Sequence, residues 1–268
     1  MPNTIHPTAI IAAGAELGDN VTVGPYALID DNVTIGDDCV IDAQVRICSH
    51  TSLGNGNHLH QGTVLGDAPQ DGGFEGEVSY LKIGDNNQIR EYCTLHRASG
   101  EGESTSIGSD CMLMAYSHIG HNCDIGSSIM MANYTGISGH CVVEDFTILS
   151  GFVGVHQFIT IGTMAMIGGM SRVVVDVPPY CIAQGNPADL YGLNVVGLRR
   201  RGLSEESRRS LKATYRALFR STDTFEEAQA RIRADGEVTP ETERLLAFQA
   251  AIATGRSGRQ RDPRADKS

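Results

Sequence analysis

Val21-Thr22-Val23-Gly24-Pro25-Tyr26-Ala27-Leu28-Ile29-Asp30-Asp31-Asn32-Val33-Thr34-Ile35-Gly36 decides the fold. Val23, Ile29 and Ile35 recur every six residues, and Ala27, Val33 and Cys39 each follow such a position by four. Extended outward, the step runs from Ile5 to Val173. Of its 29 positions, 26 hold Ile, Leu, Val or Met; the exceptions are Asp71, Glu77 and Glu101. A fixed period sustained over such a length marks a solenoid. Six residues make a short strand and a corner, and Val, Ile and Thr favour strands over helices. Three hexads close a triangular coil of 18 residues, and coils stack at the inter-strand spacing of about 4.8 Å. The chain therefore reads as an all-β solenoid, a parallel β-helix of hexapeptide repeats with nine to ten coils.

The exceptions mark loops that leave the prism, near 67–80 and 98–106, where Pro, Gly-Gly and acidic residues replace the core aliphatics. Such insertions often build the binding face of a repeat protein. After Val173 the period fades. Pro178-Pro179 breaks it, and Gly185-Asn186-Pro187-Ala188 is a turn signal. Helical patterning then places Leu211, Tyr215, Leu218 and Phe219 on one face of a helix over 204–220. Thr224 with Glu227 forms a capping box for a second helix to about Ala234. Thr239 and Pro240 open a third, to about Thr254. The expected domains are 1–190 for the β-helix, 191–255 for a C-terminal helical domain, and 256–268 for an Arg/Gly/Ser-rich disordered tail.

Net charge is −11, with −16 on residues 1–198 and +5 on 199–268. The basic end suits an acidic partner, or is simply a solvated helix surface. No aromatic-interleaved basic motif supports nucleic acid binding. No stretch approaches the ~20 apolar residues of a membrane span. The N-terminus lacks the n- and h-regions of a signal peptide, so a cytoplasmic location is expected. Five of the seven cysteines (Cys39, Cys93, Cys111, Cys123 and Cys141) occupy the small-residue corner slot, where Cys acts as a small hydrophobe. With no Cys-x-x-Cys pair, no structural zinc site and no metal ligand set is expected.

A filled prism has no internal pocket, so chemistry must sit on outer faces, under loops or between subunits. His118, His121, His140 and His156 lie close together in the chain, and the 18-residue register lets all four face one region. Histidine suits general base chemistry near neutral pH, and metal binding is the rival use of the same residues. A His-x4-His pair, used with a further His by hexapeptide-repeat carbonic anhydrases, is missing; the chain has His118-x2-His121.

The run Ala115-Tyr116-Ser117-His118-Ile119-Gly120-His121-Asn122-Cys123 is followed by Ser138-Gly139-His140, Val155-His156-Gln157-Phe158, Asp176-Val177-Pro178-Pro179-Tyr180, Ala183-Gln184-Gly185-Asn186 and Gly197-Leu198-Arg199-Arg200-Arg201-Gly202. Together they resemble the UDP-N-acetylglucosamine 3-O-acyltransferase family, which makes the first acyl transfer of lipid A biosynthesis. The resemblance covers about residues 5–255. It implies a left-handed coil, although the general crossover preference is right-handed. It also implies a homotrimer with sites between subunits, an acyl carrier protein thioester as co-substrate and no other cofactor. By the same resemblance His121 is the general base and Gly139 the oxyanion donor. Asp71, His118, His140, His156 and Gln157 line the substrate pocket. Asn194, Arg200 and Arg201 contact nucleotide and phosphate. Gly169, with Met166 and Met170, borders the acyl chain, and Gly169 leaves room for a longer chain.

The chain departs from the family pattern at three places. Asn122 replaces the Asp that commonly follows the base, and is expected not to orient the imidazole as a carboxylate would. Gly73 stands for a Lys, and Val196 for a Glu. These departures keep N-acylation of the 3-amino sugar nucleotide open. From other classes, a carbonic-anhydrase-like metalloenzyme and a non-catalytic carrier-binding trimer stay open too. Without the resemblance, Asp71 reads as a polar loop residue, Arg199–Arg201 as a solvated basic run, and Gly139 as a turn glycine.

Overall fold

The computed structural model describes residues 2–235, 238–255 and 257–262. Each hexad makes a two-residue strand and a corner. In Thr22–Val23 the threonine is exposed and the valine buried, and the same out-then-in pattern recurs at Thr34–Ile35 and Arg46–Ile47. The inward residues form one continuous core from Val21 to Ala188. The slot four residues after an inward position is buried through most of the stack, whether it holds Ala27, Val33, Cys39 or Val45. All seven cysteines are buried and unbridged. Burial pushes the Cys93 and Cys111 thiols up to about 11, so they are inert packing groups.

The corner itself needs a left-handed residue. Asn20, Tyr26, Asn32, Asp38 and Gln44 have φ of 58–60°, a conformation costing an L-residue roughly 1–2 kcal/mol. Stacking compensates, because corner amides bond across coils, as Asp38 N–H does to Asp19 O at 2.9 Å. A coil is therefore stable only against its neighbours, the expected behaviour of a repeat array.

Three parallel sheets form the faces of a left-handed prism. The first face contains Thr22–Val23, the second Leu28–Ile29 and the third Thr34–Ile35. Register advances by 18, as in Thr22↔Val40 and His118↔Gly136. Each insertion lengthens one step on every face, as from His58 to Gln88 for the first and from Thr94 to His118 for the second. The additional chain leaves the prism between Val64–Asp67 and Tyr80–Ile83, and between Thr94–His96 and Ser104–Ile107. Both insertions therefore emerge at the corner between the second and third faces.

Beyond the coils, Cys181–Gly185 and Ala188–Leu193 form an antiparallel hairpin on the first face. Only its turn is legible in the sequence. Among the described residues four helices follow: α1 Val195–Arg200, α2 Glu205–Phe219, α3 Phe225–Asp235 and α4 Pro240–Thr254. Ser204 and Thr239 cap α2 and α4 through their hydroxyls. Thr224 and Glu227 exchange the two bonds of a capping box. The short α1, capped by Asn194, is a helix that the sequence pattern does not reveal. Residues 257–262, expected within a disordered tail, instead pack on the prism. Asp176 N–H donates to Gly258 O, and the Asp176 carboxylate accepts from Gln260 N–H, both at 2.8 Å. Arg256 and residues 263–268 of that expected tail lie outside the described residues. No described helix is long and apolar enough to cross a membrane.

Candidate active site

The corner between the second and third faces collects most of the expected site. Asp71 rides on the first insertion, Ser99 on the second, and His121, Gly139, His140, His156 and Gln157 on successive corners of the stack. His118 stands just before, on the second face. A cleft of about 510 Å³ is lined by His118, His121, Gly139, His156, Gln157 and Gln70.

Asn122 orients His121. Its Nδ2 donates to Ser99 O at 3.0 Å, and its Oδ1 accepts from Ser99 N–H at 2.9 Å. These two opposite backbone partners fix which end of the amide is oxygen. The same Oδ1 lies 2.8 Å from His121 Nδ1, so Nδ1 carries the proton and Nε2 the lone pair. This corrects the expectation that Asn122 cannot orient the ring. The amide oxygen sets tautomer and orientation as a carboxylate would, and only the negative charge is missing.

Nε2 points at Gly139. A Cβ built on Gly139 would lie 2.6 Å from it, so glycine is required there for the ring to hold its place. Gly139 N–H donates to no group among the described residues, leaving it free to meet a developing oxyanion beside the base. The His140 ring stands edge-on to His121, with centroids 5.1 Å apart, and stacks on Phe158. Burial, then the His121 charge, lowers the His140 pKa. His118 shares a 2.8 Å hydrogen bond with Thr94 Oγ1. Burial, with His96 beside it, pushes it down to about 4, so it is neutral at ordinary pH. Asp71 stays ionised: Gly73 N–H and the Ser99 hydroxyl hold its carboxyl below the usual range, and His121 and His140 add to this. His156 is exposed, and Arg259 Nη1 lies 3.2 Å from its Nδ1.

The other expected residues lie on different corners. Asn194 is buried; its Oδ1 accepts from Gly197 N–H and its Nδ2 donates to Met164 O, both at 3.0 Å. It anchors α1, with one amide hydrogen and one oxygen lone pair still to spare. Arg200 ends α1, and Arg201 follows, its guanidinium 4.5 Å from the Phe146 ring centroid. Met164 and Phe146 mark the corner between the third and first faces. Met166 lies on the first face, and Gly169 and Met170 on the corner between first and second, with Met170 77% exposed. One chain thus does not join these residues to the cleft. Sequence reasoning misses the Ser99 clasp, which ties the second insertion to the corner of a later coil, and Arg259, which sits in the supposed tail. Among the described residues, one trio of metal-capable donors converges, and it lies elsewhere, on the first face.

Comparison with known proteins extends these observations. A family described as "Udp N-acetylglucosamine O-acyltransferase; Domain 2" matches residues 176–258, and a bacterial transferase hexapeptide family matches residues 32–67. An acyl-[acyl-carrier-protein]–UDP-N-acetylglucosamine O-acyltransferase of Gloeothece citriformis is 43% identical, covering 95% of this chain and 92% of its own. The crystal structure of the Bacteroides fragilis UDP-N-acetylglucosamine acyltransferase superposes with a TM-score of 0.87 at 37% identity, covering 91% of this chain and 95% of that one. The Francisella novicida enzyme gives 0.89 at 35% identity, covering 97% and 95%. With this identity and superposition extending over nearly the whole length, the chain belongs to the acyl-[acyl-carrier-protein]–UDP-N-acetylglucosamine O-acyltransferase family.

Proposed function

We propose that the chain transfers a 3-hydroxyacyl group from acyl carrier protein to the 3-hydroxyl of UDP-N-acetylglucosamine. The observation that carries this reading is the Ser99–Asn122–His121 chain of hydrogen bonds, which leaves a basic Nε2 beside the Gly139 N–H. Nε2 takes the proton of the sugar 3-hydroxyl as its oxygen attacks the thioester carbonyl. The Gly139 amide stabilises the oxyanion that forms. As the carbonyl re-forms, the C–S bond breaks and the imidazolium returns its proton to the departing thiolate. A positioned base typically contributes ~10²–10⁴-fold. The ionised Asp71, on the loop above, suits a sugar hydroxyl or amide. His118, neutral at working pH, completes the wall with His156 and Gln157, and His140 packs edge-on against the base.

The partition of residues between corners supports a homotrimer. The edge between the first and second faces carries an exposed column of stacked rings, Tyr92, Tyr116, Tyr134 and Phe152, with centroids 4.9–5.3 Å apart. Exposed apolar surface of this kind marks an interface. Three such edges meeting on an axis lay the first face of one subunit against the second face of the next. That brings Arg200, Arg201, Met166 and Met170 of one subunit toward the cleft of its neighbour. Arg forks suit the diphosphate, and Met166, Met170 and Gly169 border the acyl chain. The basic C-terminal segment offers a surface to the acidic carrier.

The test is product formation from 3-hydroxyacyl carrier protein with UDP-N-acetylglucosamine or its 3-amino analogue. Turnover of the hydroxyl acceptor, lost in His121→Ala, is expected. Absence of product from both acceptors would overturn the reading, and turnover of the amine alone would reassign the acceptor.

A further inference from the structure

On the first face, away from the cleft, Asp42, His58 and His60 gather. The 18-residue register places His60 over Asp42 on the next coil, with Leu59 paired to Ile41. His58 and His60 flank the inward Leu59, so both rings stand on the outer side of one strand, as alternate strand residues must. Asp42 Oδ2 lies 3.1 Å from His58 Nε2 and 3.5 Å from His60 Nδ1. A tetrahedral ion with bonds of about 2.0–2.1 Å holds its ligand atoms about 3.3 Å apart, and these two spacings bracket that value.

We infer that Asp42, His58 and His60 form a binding site for a divalent d-block cation of the zinc type, with the fourth position open on the outer side. Two imidazoles and a carboxylate are the donor set such ions prefer over magnesium or calcium. Gln88 Oε1 lies 3.5 Å from His60 Nε2. A proton held there leaves the Nδ1 lone pair facing the Asp42 carboxylate, an arrangement a shared cation relieves. Arg90, whose positive charge acts on His60, is paired with Glu91 at 2.9 Å. The two rings stack with centroids 3.9 Å apart and planes 22° from parallel. Each lone pair lies in its ring plane, so both rings turn about their Cβ–Cγ bonds to share one ion. His58, with a side chain 30% exposed, has solvent to turn into. The site spans two coils and would clamp one to the next, independently of the acyl-transfer cleft.

The experiment uses tag-free full-length protein, stripped with chelator, then titrated with Co²⁺ by visible absorption and with Zn²⁺ by calorimetry. One equivalent per chain is expected, with affinity at least about tenfold weaker in His58→Gln and in His60→Gln, and unchanged in His121→Gln. A second readout does not depend on variants. Zn²⁺ should raise the thermal midpoint of the wild-type protein, and Mg²⁺ at the same concentration should leave it unchanged. No saturable binding up to about 1 mM would overturn the site and leave a His–Asp ion pair in its place. So would binding that follows His121 instead of His58 and His60.

Discussion

Replacing Asn122 by Asp tests the orientation of the base directly. The amide oxygen 2.8 Å from His121 Nδ1 becomes a charged carboxylate oxygen in the same place. An opposite charge at this range favours protonated imidazole by about 1–3 pH units, with the lower end suited to a half-buried pair. The acid limb of the kcat/KM profile of Asn122→Asp should therefore move up by about 1–2 pH units. Above that limb the more basic nitrogen, and the better stabilised imidazolium in the transition state, should raise the plateau by about 3–10-fold. The substitution also removes the donor to Ser99 O at 3.0 Å, costing about 1 kcal/mol of stability. A denaturant midpoint reports that loss separately from the kinetics. Asn122→Ala should lower the plateau without raising the limb, because tautomer and ring orientation are no longer set. Superimposable profiles for wild type and Asn122→Asp, or a wild-type rate in Asn122→Ala, would refute the hydrogen-bond chain.

Gly139→Ala should lower kcat by at least about 100-fold while leaving the unfolding midpoint nearly unchanged, since the new Cβ meets the movable tip of His121. His118, held down to about 4 by burial, binds its proton more readily unfolded. Stability should be fully present above about pH 6.5 and fall as pH drops toward 4, by up to about 3 kcal/mol. Urea unfolding at pH 7 and 4.5 should show this loss reduced in His118→Asn. Tyr116→Glu with Tyr134→Glu places charges in the exposed aromatic column. Sedimentation should then show dissociation, with kcat falling alongside.

The repeat is legible because one inward aliphatic per hexad is enough to write it into composition. Its failures at Asp71, Glu77 and Glu101 locate the loops for the same reason. The hairpin over 181–193 and α1 are not legible: one pairs by tertiary context, and the other is too short for a 3.6-residue period to show. The Ser99–Asn122 clasp depends on where a loop lands. Asn in place of Asp looks like a loss because sequence shows the missing charge but not the retained acceptor. Asp42 and His60 stand one coil apart, so their meeting follows from the same register once it is carried beyond the histidines between 118 and 156. Composition misleads over residues 257–262, because Gly258 and Gln260 are held through backbone atoms that any residue supplies.

The separation of the cleft from Arg200 and Arg201 onto different corners has a genetic consequence. In the proposed trimer, a subunit lacking His121 and a subunit lacking both arginines are each inactive alone, yet each supplies what the other lacks. Random co-assembly of equal amounts would restore about a quarter of the interfaces, those pairing an intact base face with an intact arginine face. Two dead alleles would then complement within a single gene, whereas two substitutions on the same corner would not.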